Sequence, residues 1–230
     1  MTSGHLRGSI LPDRIVVTWS GGLDTTALIA YLAKEEERIV YPIFVNRSQS
    51  NYEREKRSTE HFISLFKRDL GMAFRDTFEV TVPIPARELK AKYKTSDADT
   101  LYALRNSDII NSAVRYALLE GIEVIAVGSL AEDPLRDDSP EYLAAKSAEI
   151  RIGSMNRVLL RAPFQDMKWN KSDAIVWAVE NSIAISDSWS CWKNEEKHCG
   201  TCPACVSRKN AFREAKSKEP TVEDRTTYLA

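Results

Sequence analysis

No stretch of this 230-residue chain approaches the about 20 consecutive apolar residues that cross a bilayer, and its opening residues, MTSGHLRGSILPDR, lack the apolar core of an export signal. A membrane-bound or secreted protein is not expected, and a reducing, cytoplasmic setting is. Charge of one sign is missing as well: 32 Lys and Arg against 33 Asp and Glu leave a net charge of -1, so neither a broadly basic nucleic-acid surface nor a polyanionic tail is implied. There is no internal repeat and no low-complexity tract. Neither the Walker phosphate loop, Gly-x4-Gly-Lys-Ser/Thr, nor the dinucleotide fingerprint Gly-x-Gly-x-x-Gly occurs. Cysteine is absent from everything before residue 191.

All four cysteines then arrive together, as Cys191-x7-Cys199-Gly-x-Cys202-Pro-x-Cys205. A thiolate set this tight suits tetrahedral Zn²⁺, whose ligands short loops can wrap around one ion. Two disulfides or four buried thiols are the plainer alternatives. Four thiolates leave no coordination position for an activated water, so such a zinc is structural and the chemistry lies elsewhere. His198 reads as a loop residue beside the metal rather than a ligand, His61 as helix surface and His5 as tail.

The length allows one main core with a small C-terminal appendage. Short apolar runs at 15–19, 39–45, 78–82 and 124–127 read as buried strands, with a last strand at 158–164. Helical periodicity appears at 25–34, 59–70, 107–119 and 171–180, with Gly121 as a stop signal. Alternating strands and helices with uninterrupted apolar strands predict an α/β fold, doubly wound around a mostly parallel sheet covered on both faces. The acidic stretch 131–140 reads as a loop leaving the carboxyl end of the fourth strand, the edge where such sheets bind ligands. The mixed-charge runs 34–38 and 53–57 read as solvated helix faces, residues 216–230 as a frayed polar tail, and Trp19 and Trp189 as core before stacking platforms.

Between the first strand and first helix lies Ser20-Gly21-Gly22-Leu23-Asp24-Thr25-Thr26. Two glycines allow close approach of an anion, while the helix amides and the hydroxyls of Ser20, Thr25 and Thr26 supply donors to phosphate oxygens. A simple Gly-Gly turn with a capped helix is the alternative.

In this context the segment resembles the loop of the PP-loop ATP pyrophosphatases (adenine nucleotide alpha hydrolase-like), which holds the pyrophosphate of ATP while the α-phosphate is attacked. Trp189-Ser190-Cys191 with Lys197-His198-Cys199-Gly200-Thr201-Cys202-Pro203-Ala204-Cys205 resembles the zinc signature of the 7-cyano-7-deazaguanine synthases of queuosine biosynthesis, and Arg105-Asn106 resembles that family's Arg-Asn pair. The resemblance covers about residues 14 to 215. It implies a nucleotide-binding domain over 10–170, a helical segment with the four-cysteine zinc site over 171–215, and a tail over 216–230.

The activity it implies is adenylation of 7-carboxy-7-deazaguanine by ATP and capture by ammonia to give the nitrile, with release of AMP and pyrophosphate. It assigns Ser20 and Asp24 to catalysis, 20–26 to ATP, Asp24 also to Mg²⁺, Cys191, Cys199, Cys202 and Cys205 to zinc, and Arg105, Asn106, Gln49 and Trp189 to the deazapurine. Members are commonly homodimers. The chain departs from the family at Thr25, usually Ser; at Asn46-Arg47-Ser48-Gln49, usually Asp-Tyr-Gly-Gln; and at 132–138, where a Tyr-Pro-Asp-Cys-Arg segment is usual. These departures leave open a relative that stops at the amide or joins the acyl group to a protein amine. A zinc-ribbon module binding nucleic acid or protein is the reading from another class, and it leaves the phosphate loop unexplained. Because every cysteine is in the cluster, no thiol remains to carry sulfur for a tRNA thiolase or to hydrolyse glutamine.

Overall fold

The computed structural model of the chain describes residues 13–82, 104–132 and 136–229. His5 and part of the 131–140 loop, 133–135, lie outside the described residues. Five strands form one sheet, β1 (Arg14–Thr18), β2 (Ile39–Asn46), β3 (Phe78–Thr81), β4 (Val124–Ala126) and β5 (Leu159–Arg161), in the order β3-β2-β1-β4-β5. Every pairing is parallel. The helices are α1 (Leu23–Lys34), α2 (Tyr52–Asp69), α3 (Arg105–Glu120), α4 (Pro140–Gly153), the single turn α5 (Pro163–Asp166), α6 (Lys171–Glu180) and α7 (Pro203–Lys218).

The period of two along a strand sorts the core into two layers. Ile15 and Val17 of β1 and Val124 and Ala126 of β4 face α1, α2, α6 and α7, where Leu28, Phe62, Phe66, Ile175 and Phe212 close the layer. Val16 and Ile125 point the other way, onto Ile110, Ala113 and Ala117 of α3 and Leu143 and Ile150 of α4. The expected doubly wound parallel sheet is the observed one. Strand order reverses between β1 and β4, so their carboxyl ends splay apart and leave a crevice.

Several boundaries differ from expectation. Helix α2 starts at Tyr52, seven residues before the expected 59, because its first turns are charged and carry no apolar stripe. The segment 158–164 yields only a three-residue strand, since Pro163 opens α5 at once. Helix α4 was not expected; Ser139 caps it, accepting from the Tyr142 N–H at 3.1 Å, with Pro140 in the first turn.

The C-terminal stretch is not frayed. Residues 216–218 continue α7, Val222 is buried, and His198 pairs with Tyr228 in a parallel bridge. Arg208, fully buried, ties this tail down by donating to Thr226 Oγ1 at 2.9 Å, and to Ser188 Oγ and Ser190 Oγ at 2.9 and 3.0 Å. The mixed-charge runs are not simply solvated either: Arg38 is buried beside Glu36, and the Glu55 side chain is only 12% exposed.

Candidate active site and cysteine cluster

A cavity of about 440 Å³ opens where the sheet order reverses, within the range that holds a nucleotide-sized ligand. Thr18, Trp19 and Ser20 line it from the end of β1, and Val127, Gly128 and Ser129 from the end of β4. Gly22, Leu23, Asp24 and Thr25 come from the start of α1. No side chain caps α1, whose N-cap is Gly22, so its first N–H groups are left to the cavity. This is the arrangement that favours an anion at a helix N-terminus.

Two glycines make the approach possible. Gly21 has φ +70° and lies so near α2 that a Cβ would stand 2.7 Å from the Glu55 carbonyl. A Cβ on Gly128 would stand 2.9 Å from Thr25 Cγ2, so the β4 loop packs directly on the first turn of α1.

Asp24 forms an ion pair with Lys171 at 2.9 Å, while its other oxygen, Oδ1, is buried with no hydrogen-bond partner. Lys171 is held by a capping box in which Asn170 accepts from the Asp173 N–H at 3.1 Å and Asp173 accepts from the Asn170 N–H at 2.9 Å. A lysine in the first turn of a helix opposes the helix dipole. That misfit was the one trace in the sequence of a nearby anion, and sequence reasoning passed over it.

The remaining expected residues divide. Arg105 and Asn106, opening α3, line the cavity. Arg105 is held by Asp137 at 3.5 Å and Asp138 at 3.3 Å, and Asn106 Nδ2 donates to the Asp137 carbonyl at 2.8 Å. Burial pushes the Asp138 carboxyl up against the pull of Arg105 and Ser129. Trp189 lines the cavity half-buried, packed on His198 with ring centroids 4.2 Å apart.

Three expected ligand residues stand behind the wall. Thr26 is fully buried and accepts from the Trp19 indole N–H at 3.0 Å. Gly21 presents its carbonyl to Ser58 Oγ at 2.7 Å and to the Trp189 N–H at 3.0 Å. Gln49 bridges the Arg47 N–H and the Glu55 carboxylate. Lys171, Gly128, Ser129, Glu55 and Trp192 line the cavity without having been expected there.

The four cysteines converge, their sulfurs all within 4.8 Å of one another. Cys199 and Cys205 stand 3.9 Å apart and Cys191 and Cys202 4.0 Å, far beyond the about 2.05 Å of a disulfide. The cluster is compatible with a metal ion. A tetrahedron with metal–sulfur bonds of about 2.3 Å has edges of about 3.8 Å. Backbone N–H groups of Lys193 and Cys199 point at Cys191 Sγ, both at 3.4 Å, and that of Cys202 at Cys199 Sγ at 3.3 Å, the donors a thiolate requires. His198 is a neighbour and not a ligand: its Nε2 accepts from the Ser190 N–H at 3.1 Å. His61, expected to be ordinary surface, is exposed and paired with Asp187 at 3.0 Å.

Among known proteins, the chain is 31% identical over 221 residues to a 7-cyano-7-deazaguanine synthase of Methanothrix thermoacetophila, covering 90% of this chain and 97% of that one. It is 27% identical over 218 residues to the enzyme of that name from Methanospirillum hungatei, covering 90% and 98%. Of solved structures, the U34-tRNA thiolase NcsA from Methanococcus maripaludis with its 4Fe–4S cluster aligns with a TM-score of 0.47 and 13% identity, over 90% of this chain and 67% of that one. The profile of the queuosine biosynthesis protein QueC matches residues 14–216, and the chain, with Ser20 to Thr26 at one end of that span and its four cysteines at the other, belongs to the QueC family.

Proposed function

We propose that the chain converts 7-carboxy-7-deazaguanine and ammonia into 7-cyano-7-deazaguanine at the expense of ATP. The observation that carries this reading is the cavity at the sheet's reversal point. The uncapped start of α1 and the Asp24–Lys171 pair bound it, and so do Arg105, Asn106 and Trp189.

In the first half-reaction the 7-carboxylate oxygen attacks the α-phosphorus of ATP and pyrophosphate leaves. Ammonia then attacks the acyl carbon and AMP leaves, giving the amide. In the second, the amide oxygen attacks the α-phosphorus of another ATP and pyrophosphate leaves; loss of AMP and of the nitrogen's two protons then leaves the nitrile. Little covalent chemistry falls to the protein, which supplies position and charge. The amides at the start of α1 receive the departing pyrophosphate, with Ser20 and Thr25 as hydroxyl donors and Lys171 as the cation beside it. The buried, unpartnered Asp24 Oδ1 fits the Mg²⁺ that accompanies ATP, which neutralises charge on the leaving group when bound.

The four thiolates fit zinc, because their spacing matches one ion at the centre of a tetrahedron, whereas an iron–sulfur cluster interposes its own sulfides and needs a wider cage. No described helix is long and apolar enough to cross a membrane. Thiolates held on a metal suit a reducing cytoplasm.

The test is product analysis with purified protein, ATP, Mg²⁺, ammonium and 7-carboxy-7-deazaguanine. Two AMP and two pyrophosphate per nitrile are expected. ADP and inorganic phosphate would reject the reading, and a single AMP with the amide as end product would remove its second half.

A further inference from the structure

Three carboxylates line the cavity among the described residues: Asp24, Asp138 and Glu55. Asp24 belongs to the phosphate loop and holds Lys171. Asp138 is taken up by Ser129 on Oδ1 at 2.7 Å and by Arg105 on Oδ2 at 3.3 Å. Glu55 has no such duty in the chemistry above, yet both its oxygens are held in place.

Gln49 Nε2 donates to its Oε2 at 2.5 Å and Asn51 Nδ2 to its Oε1 at 3.1 Å. The same Asn51 amide donates to the Cys191 carbonyl at 3.0 Å, and the Trp189 indole N–H donates to that carbonyl at 2.8 Å. The carboxylate and the tryptophan are thus registered against one carbonyl of the cysteine segment. Each carboxylate oxygen accepts two hydrogen bonds, so with one amide on each and the Arg47 guanidinium paired with Oε2 only at 4.0 Å, beyond hydrogen-bond distance, both oxygens retain acceptor capacity. Burial pushes the Glu55 carboxyl up despite Arg47, Gln49 and Asn51, so a carboxylate at this wall costs stability unless a ligand's donors meet it.

We propose that Glu55 determines base specificity, its two oxygens receiving the adjacent ring N–H and exocyclic amino group of a guanine-type heterocycle. The proposal rests on the deazaguanine reading above and assigns the residue that enforces it. A carboxylate presents two acceptors side by side and the guanine edge two donors side by side. Adenine-type and hypoxanthine-type edges lack one or both donors, and rejection follows from the acceptor left unpaired.

The experiment compares 7-carboxy-7-deazaguanine with its analogue lacking the 2-amino group, on wild type and on Glu55→Gln, with melting temperature and the KM values for ATP and ammonium recorded alongside. Wild type is expected to prefer the guanine-type substrate by on the order of 10²-fold in kcat/KM, the loss that accompanies a missing hydrogen bond to a charged group. In Glu55→Gln, which sets an N–H₂ against one donor, the preference is expected to fall below about 10-fold, mainly through KM, with the KM for ATP unchanged within about 2-fold.

Equal use of the two substrates by wild type overturns the assignment without any variant. So does a folded Glu55→Gln that keeps the wild-type preference, or one in which only the ammonium KM rises, which would make Glu55 an ammonium site. A wild type that cleaves ATP with another carboxylate but does not bind the deazaguanine overturns the proposed substrate itself, and is told apart from these by direct titration.

Discussion

Ser20 and Gly22 to Thr25 reach the cavity from one strand-to-helix turn, while the cysteine-side wall joins Glu55 to Trp189, Trp192 and Ser207 from the other end of the chain. The first region depends on backbone: a positive φ at Gly21, free helix amides, and a close approach at Gly128. The second depends on side chains that meet only after folding, with Asn51 and Trp189 both reading the Cys191 carbonyl. A backbone device is written locally and has few acceptable sequences, which is why the loop could be read at sight. A side-chain wall can be rebuilt from many residue types once a scaffold fixes it.

The largest effect that tests this contrast is expected at the loop. Asp24→Asn removes a charge from the first turn of α1 and leaves Lys171 unneutralised. Turnover is expected to fall by about 10² to 10³, the scale for losing one electrostatic stabiliser, with the KM for the deazapurine little changed. Pyrophosphate release measured under saturating substrates decides it. A variant within about 3-fold of wild type would show that Asp24 does not serve the reacting phosphates.

A middle-sized effect of a different kind is expected at the cysteines. Cys202→Ser removes one of four converging sulfurs, so metal content should fall, and the melting temperature should drop by about 5 to 10 °C, about 2 to 3 kcal/mol for a chain of this size. Because Trp189 and Trp192 flank Cys191, the KM for the deazapurine should rise more than that for ATP. A rise of equal size in both would erase the division between the two walls. Metal analysis of the wild type should give one zinc per chain.

Much of the fold was legible because burial on both faces leaves a plain signature. The runs at 15–19, 39–45 and 124–127 are apolar at nearly every position, and a covered parallel strand satisfies that. The start of α2 was not legible, since Glu53 to Arg57 offer no stripe and the burial of Glu55 comes from the cavity wall rather than from the core. Gln49 and Thr26 were assigned by motif to ligands. The structure turns them inward, onto Glu55 and Trp19, because a residue in a binding motif can act through its neighbour. Lys171 was missed for the converse reason: its place in the first turn of a helix hints at an anion, but nothing near it says that the anion is the aspartate 147 residues away.

The smallest effect belongs to a pair outside both walls, and it measures how much of any loss at the site is general destabilisation. Arg161 of β5 grips Glu36, just beyond α1, with two bonds of 2.6 and 2.9 Å, and Arg38 adds a third at 3.4 Å. Burial alone would raise the Glu36 carboxyl, but the Arg161 hydrogen bonds and charge outweigh it and hold the group below its ordinary value. A carboxyl lowered in the folded state stabilises the fold above its unfolded pKa, and that stabilisation is lost as pH falls through the folded value. Glu36→Gln should therefore cost about 1 to 2 kcal/mol at pH 7, discounted for the partial exposure of both partners. The gap to wild type should hold down to about pH 5 and close below about pH 4. Denaturant melts across that range are the check, and a gap that widens on acidification would reverse the sign assigned to Glu36. Its kcat and both KM values should match wild type, so that stability lost here with activity intact separates the scaffold from the two walls it supports.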